Sequence, residues 1–370
     1  MESLESALRP EERTSLRLRS LYGRHGYRQY KVSKFEEYDL YARNKRFLVS
    51  DSVLTFTDTD GRLMALKPDV TLSIIKNAKD GEPGLQKLCY HETVYRPGGS
   101  GTFREIPQDG LECLGDLDLY TVCEVLMLAV RSLEAISDRC VLNLTHLGLL
   151  ETVLDGLAAD EATRAAILRC MARKSRHELE TVCAGGGMED EGIRRLLELT
   201  ELHGQFTAVL PRLQAFPGVE AYVAELESMA ALLADWGVAD RVVLDFSLTG
   251  DLDYYSGVVF QGYVDGVPAR VLSGGRYDKL MERLGKHSGA IGFAVYLDQL
   301  ERLGNAPLRD VDALLLYDED EDPKQVLQAV KLLGANGKTV RAQRGRGDAT
   351  ACGQVLQLKN GRLEILATDD

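Results

Sequence analysis

The sequence predicts an α+β fold: an antiparallel sheet with flanking helices, a helical insertion and a short C-terminal α/β unit. Three observations carry this. Half-apolar runs joined by turn residues fill the first third of the chain, helical periodicity fills the middle, and strand-like runs return at 242–275. Strands linked by short turns pair antiparallel, whereas a parallel doubly wound sheet needs a helix between successive strands.

Residues 12–26 read as an amphipathic helix, with Leu16, Leu18 and Leu21 on its apolar stripe and a stop at Gly23 or Gly26. In TFTDTDGRLMALKPD (55–69), Asp60-Gly61 lies between two half-apolar runs, a strong hairpin signal. LQKLCYHETVYR (85–96) and FREIPQDGLECLG (103–115) are strands, and PGGSG (97–101) is the glycine-rich turn between them. Residues 118–137 return to helical spacing through Val122, Val125, Leu126 and Val130.

Residues 146–236 are helical in pattern almost throughout. Leu150, Val153, Leu154 and Leu157 stand at i, i+3, i+4 and i+7. Ser175-Arg176-His177-Glu178 is a capping-box signature. Gly185–Gly187 and Pro217-Gly218 break the stretch, and its last helix ends at Gly237. Strands follow at 242–248, 255–266 and 269–275, then a helix from Tyr277 to Leu284 and the apolar run GAIGFAVYLDQLERL (289–303). Farther on, DALLLYDE (312–319), PKQVLQAVKLLGANG (323–337) and KTVRAQ (338–343) make one β-α-β unit. The residues after Gln343 are too few to complete a doubly wound domain. The expected division is therefore a core over 1–305, with the insertion at about 146–240, and a tail over 306–370.

Composition narrows the function. At 370 residues, 45% hydrophobic and 27% charged, this is an ordinary globular composition. No run is apolar enough to span a membrane, and the first residues mix acids and bases without the apolar stretch of a secretion signal. The seven cysteines are odd in number and contain no Cys-x-x-Cys pair, which fits reduced thiols in a cytoplasmic protein. A net charge of −13 disfavours gripping a nucleic acid and favours small ligands or protein partners. Phosphate-loop, His-Glu-x-x-His and serine-elbow motifs are absent. His91 and His146 read as core or surface residues. No catalytic residue, metal or cofactor is expected.

Four segments, in this order and spacing, carry a resemblance. They are LKPDVT (66–71), the hairpin from Tyr95 to Glu112, LDYYSGVVF (252–260) with SGGRYD (273–278), and GFAVYLDQL (292–300). Together they resemble the class II aminoacyl-tRNA synthetase core, specifically that of histidyl-tRNA synthetases, from about residue 10 to about 305. That resemblance implies a histidine pocket. Asp69 and Thr71 match the residues that meet the α-amino group, with Asp one methylene shorter than the usual Glu. Gln108 and Glu112 match the pair lining the amino-acid pocket; on a strand, i and i+4 share a face, and Gly110 between them leaves space. Tyr254 and Tyr255 match a tyrosine pair beside the imidazole, and Tyr277 matches the tyrosine of the SGGRYD-like motif. Carboxylates suit an ammonium, and donor–acceptor groups suit an imidazole. Arg96 stands near the family's hairpin arginine, and Arg104 near a second loop arginine, in a loop one residue different in length. Asp69, Thr71, Arg96, Gln108, Glu112, Tyr254, Tyr255 and Tyr277 form the expected effector set.

What is missing points the other way. Adenylation needs fixed positive charge against the triphosphate and its transition state, and arginine supplies it. Where the family has an arginine before Leu-Asp-Tyr-Tyr, this chain has Gly250 followed by Asp251. Where the family's last motif ends in Glu-Arg, this chain has Asp298-Gln299. The proline of the family's first motif, at its dimer interface, is replaced by Ser33. The tail resembles the start of an anticodon-binding domain, shortened and acidic at 318–322.

This retention and loss resembles the ATP phosphoribosyltransferase regulatory subunits, synthetase paralogues without aminoacylation activity. The resemblance implies a short-form ATP phosphoribosyltransferase catalytic subunit as partner in the first step of histidine biosynthesis, with L-histidine as effector. It also implies a self-dimer within a hetero-octamer. Two other readings stay open: an interaction module with a dead pocket, and an active histidyl-tRNA synthetase.

Overall fold

A computed structural model of the chain describes residues 8–45, 52–79, 84–98, 101–157, 159–250, 252, 254–303, 310–335, 337–345 and 351–368. Contacts divide them into two compact units. One is Pro10–Leu303; the other joins the described residues of Met1–Arg9 and Gly304–Asp370.

The first unit opens with α1 (Pro10–Arg24), which has Glu11 and Glu12 in its first turn and Arg24 in its last, as the helix dipole favours. Its buried side is Thr14, Ser15, Leu18 and Tyr22. Leu16, expected on the apolar stripe, is 50% exposed. The stripe runs 14–15–18–22, and Leu16 lies off it at the wrong angular position. β1 (Arg28–Gln29) follows, then β2 (Phe35–Glu37), α2 (Tyr38–Arg43), β3 (Thr55–Thr57) and β4 (Leu63–Leu66). The Asp60-Gly61 hairpin forms as expected, with β4 between β2 and β3 in a three-stranded sheet.

Beyond α3 (Thr71–Asn77), the long hairpin of β5 (Gln86–Pro97) and β6 (Phe103–Gly115) enters the main sheet. Two residues of the PGGSG turn, 99 and 100, lie outside the described residues. α4 (Leu119–Glu134) starts at Asp118, whose carboxylate accepts the Thr121 N–H at 2.8 Å. Its residues from 121 to 130 are all buried, so this helix is a core element rather than a surface one.

β7 (Cys140–His146) is a strand that the sequence reading passed over. Its alternation of Leu142 and Leu144 with Asn143 and Thr145 was present, but it abuts the helical stretch and was eclipsed by it. That stretch resolves into α5 (Leu147–Asp155), α6 (Glu161–Ala172), α7 (Arg176–Gly185) and α8 (Asp190–Glu201). A two-residue strand, β8 (His203–Gly204), precedes α9 (Phe206–Leu213) and α10 (Glu220–Asp235). Ser175 is the N-cap of α7 but makes no side-chain capping bond, so the capping box does not close.

β9 (Val242–Asp245), β10 (Val258–Val264), β11 (Leu272–Arg276), α11 (Asp278–Arg283) and β12 (Gly289–Tyr296) complete this unit. The main sheet runs β1-β5-β6-β12-β11-β10-β7-β9-β8. From β5 to β7 every pairing is antiparallel; β1–β5 and β7–β9 are parallel. One core packs α1, α4 and the insertion helices with the sheet, and a second gathers around α3, Tyr90 and Tyr277. All seven cysteines are free, five of them buried. Among the described residues, no helix is long and apolar enough to cross a membrane.

In the second unit, β13 (Val311–Tyr317), α12 (Pro323–Gly334) and β14 (Val340–Gln343) make the expected β-α-β crossover. Asp322 caps α12 ahead of Pro323. The residues after Gln343 add more order than expected: β15 (Cys352–Lys359) lies parallel to β13 and β16 (Arg362–Thr368) returns antiparallel, giving the order β14-β13-β15-β16.

Candidate functional site

Strand register builds the floor of the main cavity. One row across the sheet is Glu112, Gly292, Gly275, Val259 and Thr145; the next is Gly110, Ala294, Ser273, Gln261 and Asn143. Side chains two residues apart share a face, so small residues in the middle strands leave a trough flanked by polar ends. Segments around Asp69–Thr71 and Tyr254–Tyr255 wall it in, enclosing about 670 Å³. That falls within the ~300–1,000 Å³ of small-molecule sites.

All eight residues expected at the effector site line this cavity. Glu112, buried on β6, is held from both sides: the Thr71 hydroxyl donates to Oε1 at 2.8 Å and the Tyr277 hydroxyl donates to Oε2. Burial pushes its carboxyl up to about 8, against the pull of those two bonds, and the nearby Asp69 adds to the rise. Asp69 Oδ1 accepts the Leu72 N–H at 2.9 Å and so anchors the first turn of α3. Its carboxyl is also raised by burial, opposed chiefly by Arg96. Arg96 donates through Nε to the Pro68 carbonyl at 2.8 Å and stands 4.0 Å from Asp69. Gln108 is 2% exposed, and its Nε2 has no hydrogen-bond partner among the described residues. A buried donor left unmet marks a place for an acceptor.

The tyrosines form one aromatic wall. Tyr254 packs on Tyr255 with ring centroids 4.5 Å apart and on Tyr277 at 5.9 Å. Gly110 does not leave open space for a ligand. The Tyr90 ring fills it, and a Cβ there would collide with that ring. Gly292 is as constrained, since its Cβ position is taken by the Glu112 carboxylate.

Gly250 lines the cavity, with φ +60°; Asp251 lies outside the described residues. Asp298 and Gln299 are not among the lining residues. Gln299 donates to Asp298 at 2.8 Å, and Arg104, with its side chain 59% exposed, reaches Asp298 at 3.5 Å instead of the cavity. Ser33 sits in the exposed turn before β2, donating to the Phe35 carbonyl at 2.7 Å.

The sequence reading missed the other end of the trough: Asn143, Asp245, Gln261, Tyr263, Arg270 and Tyr296. Asp245 is buried and accepts from the Ser247 amide and hydroxyl, from Asn143 and from Lys174. Alternation along β10 could have revealed Gln261 and Tyr263. Asn143 was lost with β7.

The histidyl-tRNA synthetase family model matches residues 1–300. An ATP phosphoribosyltransferase regulatory subunit from Symbiobacterium thermophilum is 32% identical over 301 residues, which is 78% of this chain and 74% of that protein. Among solved structures, an ATP phosphoribosyltransferase regulatory subunit/histidyl-tRNA synthetase from Bacillus halodurans superposes with a TM-score of 0.72 at 22% identity, covering 94% of this chain and 93% of the other. A chain of an ATP phosphoribosyltransferase (HisG:HisZ) complex from Thermotoga maritima gives 0.62 at 20% identity, covering 78% and 97%. At these identities the two structures bear on the fold alone.

Proposed function

This chain belongs to the histidyl-tRNA synthetase family and, within it, to the ATP phosphoribosyltransferase regulatory subunits, and from that premise we propose that it activates a short-form ATP phosphoribosyltransferase catalytic subunit and conveys histidine feedback to it. One observation carries the reading: Thr71 and Tyr277 hold Glu112 in a cavity that Gly250, matched by resemblance to a family arginine, lines without a charge. Gln299 lacks the second such charge. Each fixed donor or cation at a transition state is worth ~2.7–4 kcal/mol, so losing two removes synthetase chemistry while leaving an amino-acid pocket.

In this reading the ammonium of histidine meets Asp69 and Thr71. The imidazole lies against Tyr254, Tyr255 and Tyr277 and shares protons with Glu112 and Gln108. A carboxyl that titrates near 8 can either donate to or accept from an imidazole at neutral pH. Feedback is then a coupling free energy of ~1–3 kcal/mol between this pocket and the partner interface. The self-dimer and a hetero-octamer of four copies of each chain belong to the same proposal, on family resemblance.

The test is phosphoribosyl-ATP formation by a short-form catalytic subunit with and without this chain, followed by histidine titration in the same assay. A large rise on addition, then inhibition by histidine, is the expected result. No change and no co-elution would overturn it. Histidine-dependent ATP–pyrophosphate exchange by this chain alone would return it to the synthetases. Activation without any histidine response would leave an interaction module with a dead pocket.

A further inference from the structure

The cavity's charge balance leaves one group without an assignment. Its lining acids are Asp69, Glu112 and Asp245, and its lining cations are Arg96 and Arg270. Asp245 is already saturated by Ser247, Asn143 and Lys174. Arg96 is tied to the Pro68 carbonyl and faces Asp69. Arg270 has no hydrogen bond or ion pair among the described residues. A zwitterionic amino acid whose ammonium meets Asp69 therefore finds Arg270 as the lining cation still open to its carboxylate.

Backbone geometry sets Arg270 where it can. The Val271 N–H donates to the Gly262 carbonyl at 2.9 Å, and the Tyr296 N–H donates to the Val271 carbonyl at 2.8 Å. Residue 271 is thereby pinned between β10 and β12, and Arg270 leaves the sheet at the cavity mouth, beside Tyr296. Its charge opposes the burial-driven rise at the hydroxyls of both Tyr255 and Tyr263, which places it near them. The hydroxyls of Tyr255 and Tyr296 make no hydrogen bond among the described residues, so both are available as donors. β11 lies two strand steps from β6, and Arg270 stands five residues before Gly275, the β11 residue in register with Glu112, so the two backbones are roughly 19 Å apart by strand spacing and rise. The side chains of Arg270 and Glu112 shorten that gap to the length of one amino acid.

We propose that Arg270 is the carboxylate anchor of this cavity, completed by the hydroxyls of Tyr255 and Tyr296. It takes over, from the segment that leads into β11, the ligand-facing positive charge that position 250 does not supply. Guanidinium and phenol donors are the groups that hold a carboxylate at a solvent-lined mouth. The proposal rests on the reading of the cavity as an amino-acid pocket, and it names the group that separates an amino acid from its decarboxylated amine.

Calorimetry on the full chain with histidine and with histamine, which keeps the imidazole and ammonium but lacks the carboxylate, tests it. The parent should bind histidine at least about tenfold more tightly than histamine. Arg270→Gln should erase that preference by weakening histidine alone, and Arg270→Lys should restore part of it. Arg270 is exposed outside its cavity face, so an unchanged melting temperature is expected of both variants. If the parent binds the two ligands equally, or if Arg270→Gln weakens both alike, the anchor role is overturned while the pocket stands. If the parent binds neither, the pocket reading falls and the anchor with it.

Discussion

Glu112 and Tyr277 meet across 165 residues of sequence: the tyrosine hydroxyl donates to the carboxylate Oε2, while Thr71 holds Oε1. Strand β6, the start of α3 and the start of α11 therefore converge on one buried carboxyl.

Tyr277→Phe should expose the value of this contact. The variant keeps the ring packed on Tyr254 but leaves Glu112 Oε2 buried without a donor, at a cost of ~1–3 kcal/mol. Because the lost bond favours the ionised form, the carboxyl should titrate even higher than its present value of about 8. Urea unfolding measures the first effect. The pH dependence of histidine binding measures the second, and an unchanged profile would disprove the contact.

Stability should fall with pH through Glu112. Its carboxyl is raised from 4.5 to about 8 by burial, so between those values the folded chain keeps a proton that the unfolded chain releases. The contribution is fully present below about 4.5 and is lost as pH rises through about 8. Melting temperatures of the parent across this window should decline, and Glu112→Gln should flatten the decline.

Two glycines should respond in opposite directions. At Gly292 a methyl group meets the Glu112 carboxylate and the Leu111 carbonyl, and the latter is locked in the β6–β12 ladder. Gly292→Ala should cost at least ~1–3 kcal/mol, as overpacking does, and should abolish histidine binding. Gly23, inside α1, has open space around its Cβ position. Gly23→Ala should therefore add ~0.5–1 kcal/mol. Equal changes in urea midpoint for the two would contradict this geometry.

The cavity residues expected for an effector were legible because they sit in short, ordered motifs. Asp69 and Thr71 are two positions apart at a helix start, and Gln108 and Glu112 are four apart on one strand face. The far end of the trough was not legible, for physical reasons. Asn143 lies on a strand whose alternation is only seven residues long and runs straight into a helix. Asp245 looked like the middle of a strand over 242–248, yet it ends that strand by turning the chain through its bonds to Ser247. Arg270 was read within a strand over 269–275, but β11 begins only at Leu272, so strand alternation gave no guide to its face. The four-stranded tail was half read for a related reason. A β-α-β crossover announces itself by length and pattern, whereas β15 and β16 carry meaning only once β15 pairs with β13 and β16 with β15.

Asp245 should prove the support on which the aromatic wall depends. Its carboxylate gathers the Ser247 amide at 3.0 Å and hydroxyl at 2.6 Å, Asn143 at 3.3 Å and Lys174 at 3.2 Å. This ties the start of the 246–250 turn to β7 and to the insertion residue Lys174. Asp245→Ala removes one acceptor from four donors. Lys174 is half exposed and can return to water, so the cost falls mainly on Asn143 and Ser247, ~1–3 kcal/mol in all. The turn leads directly into Tyr254 and Tyr255, so histidine affinity should drop although Asp245 is far along the trough from Glu112. Lys174→Met should cost less than Asp245→Ala in urea unfolding and leave histidine affinity nearly intact. If the two variants lose affinity equally, the insertion, and not the turn, is what positions the wall.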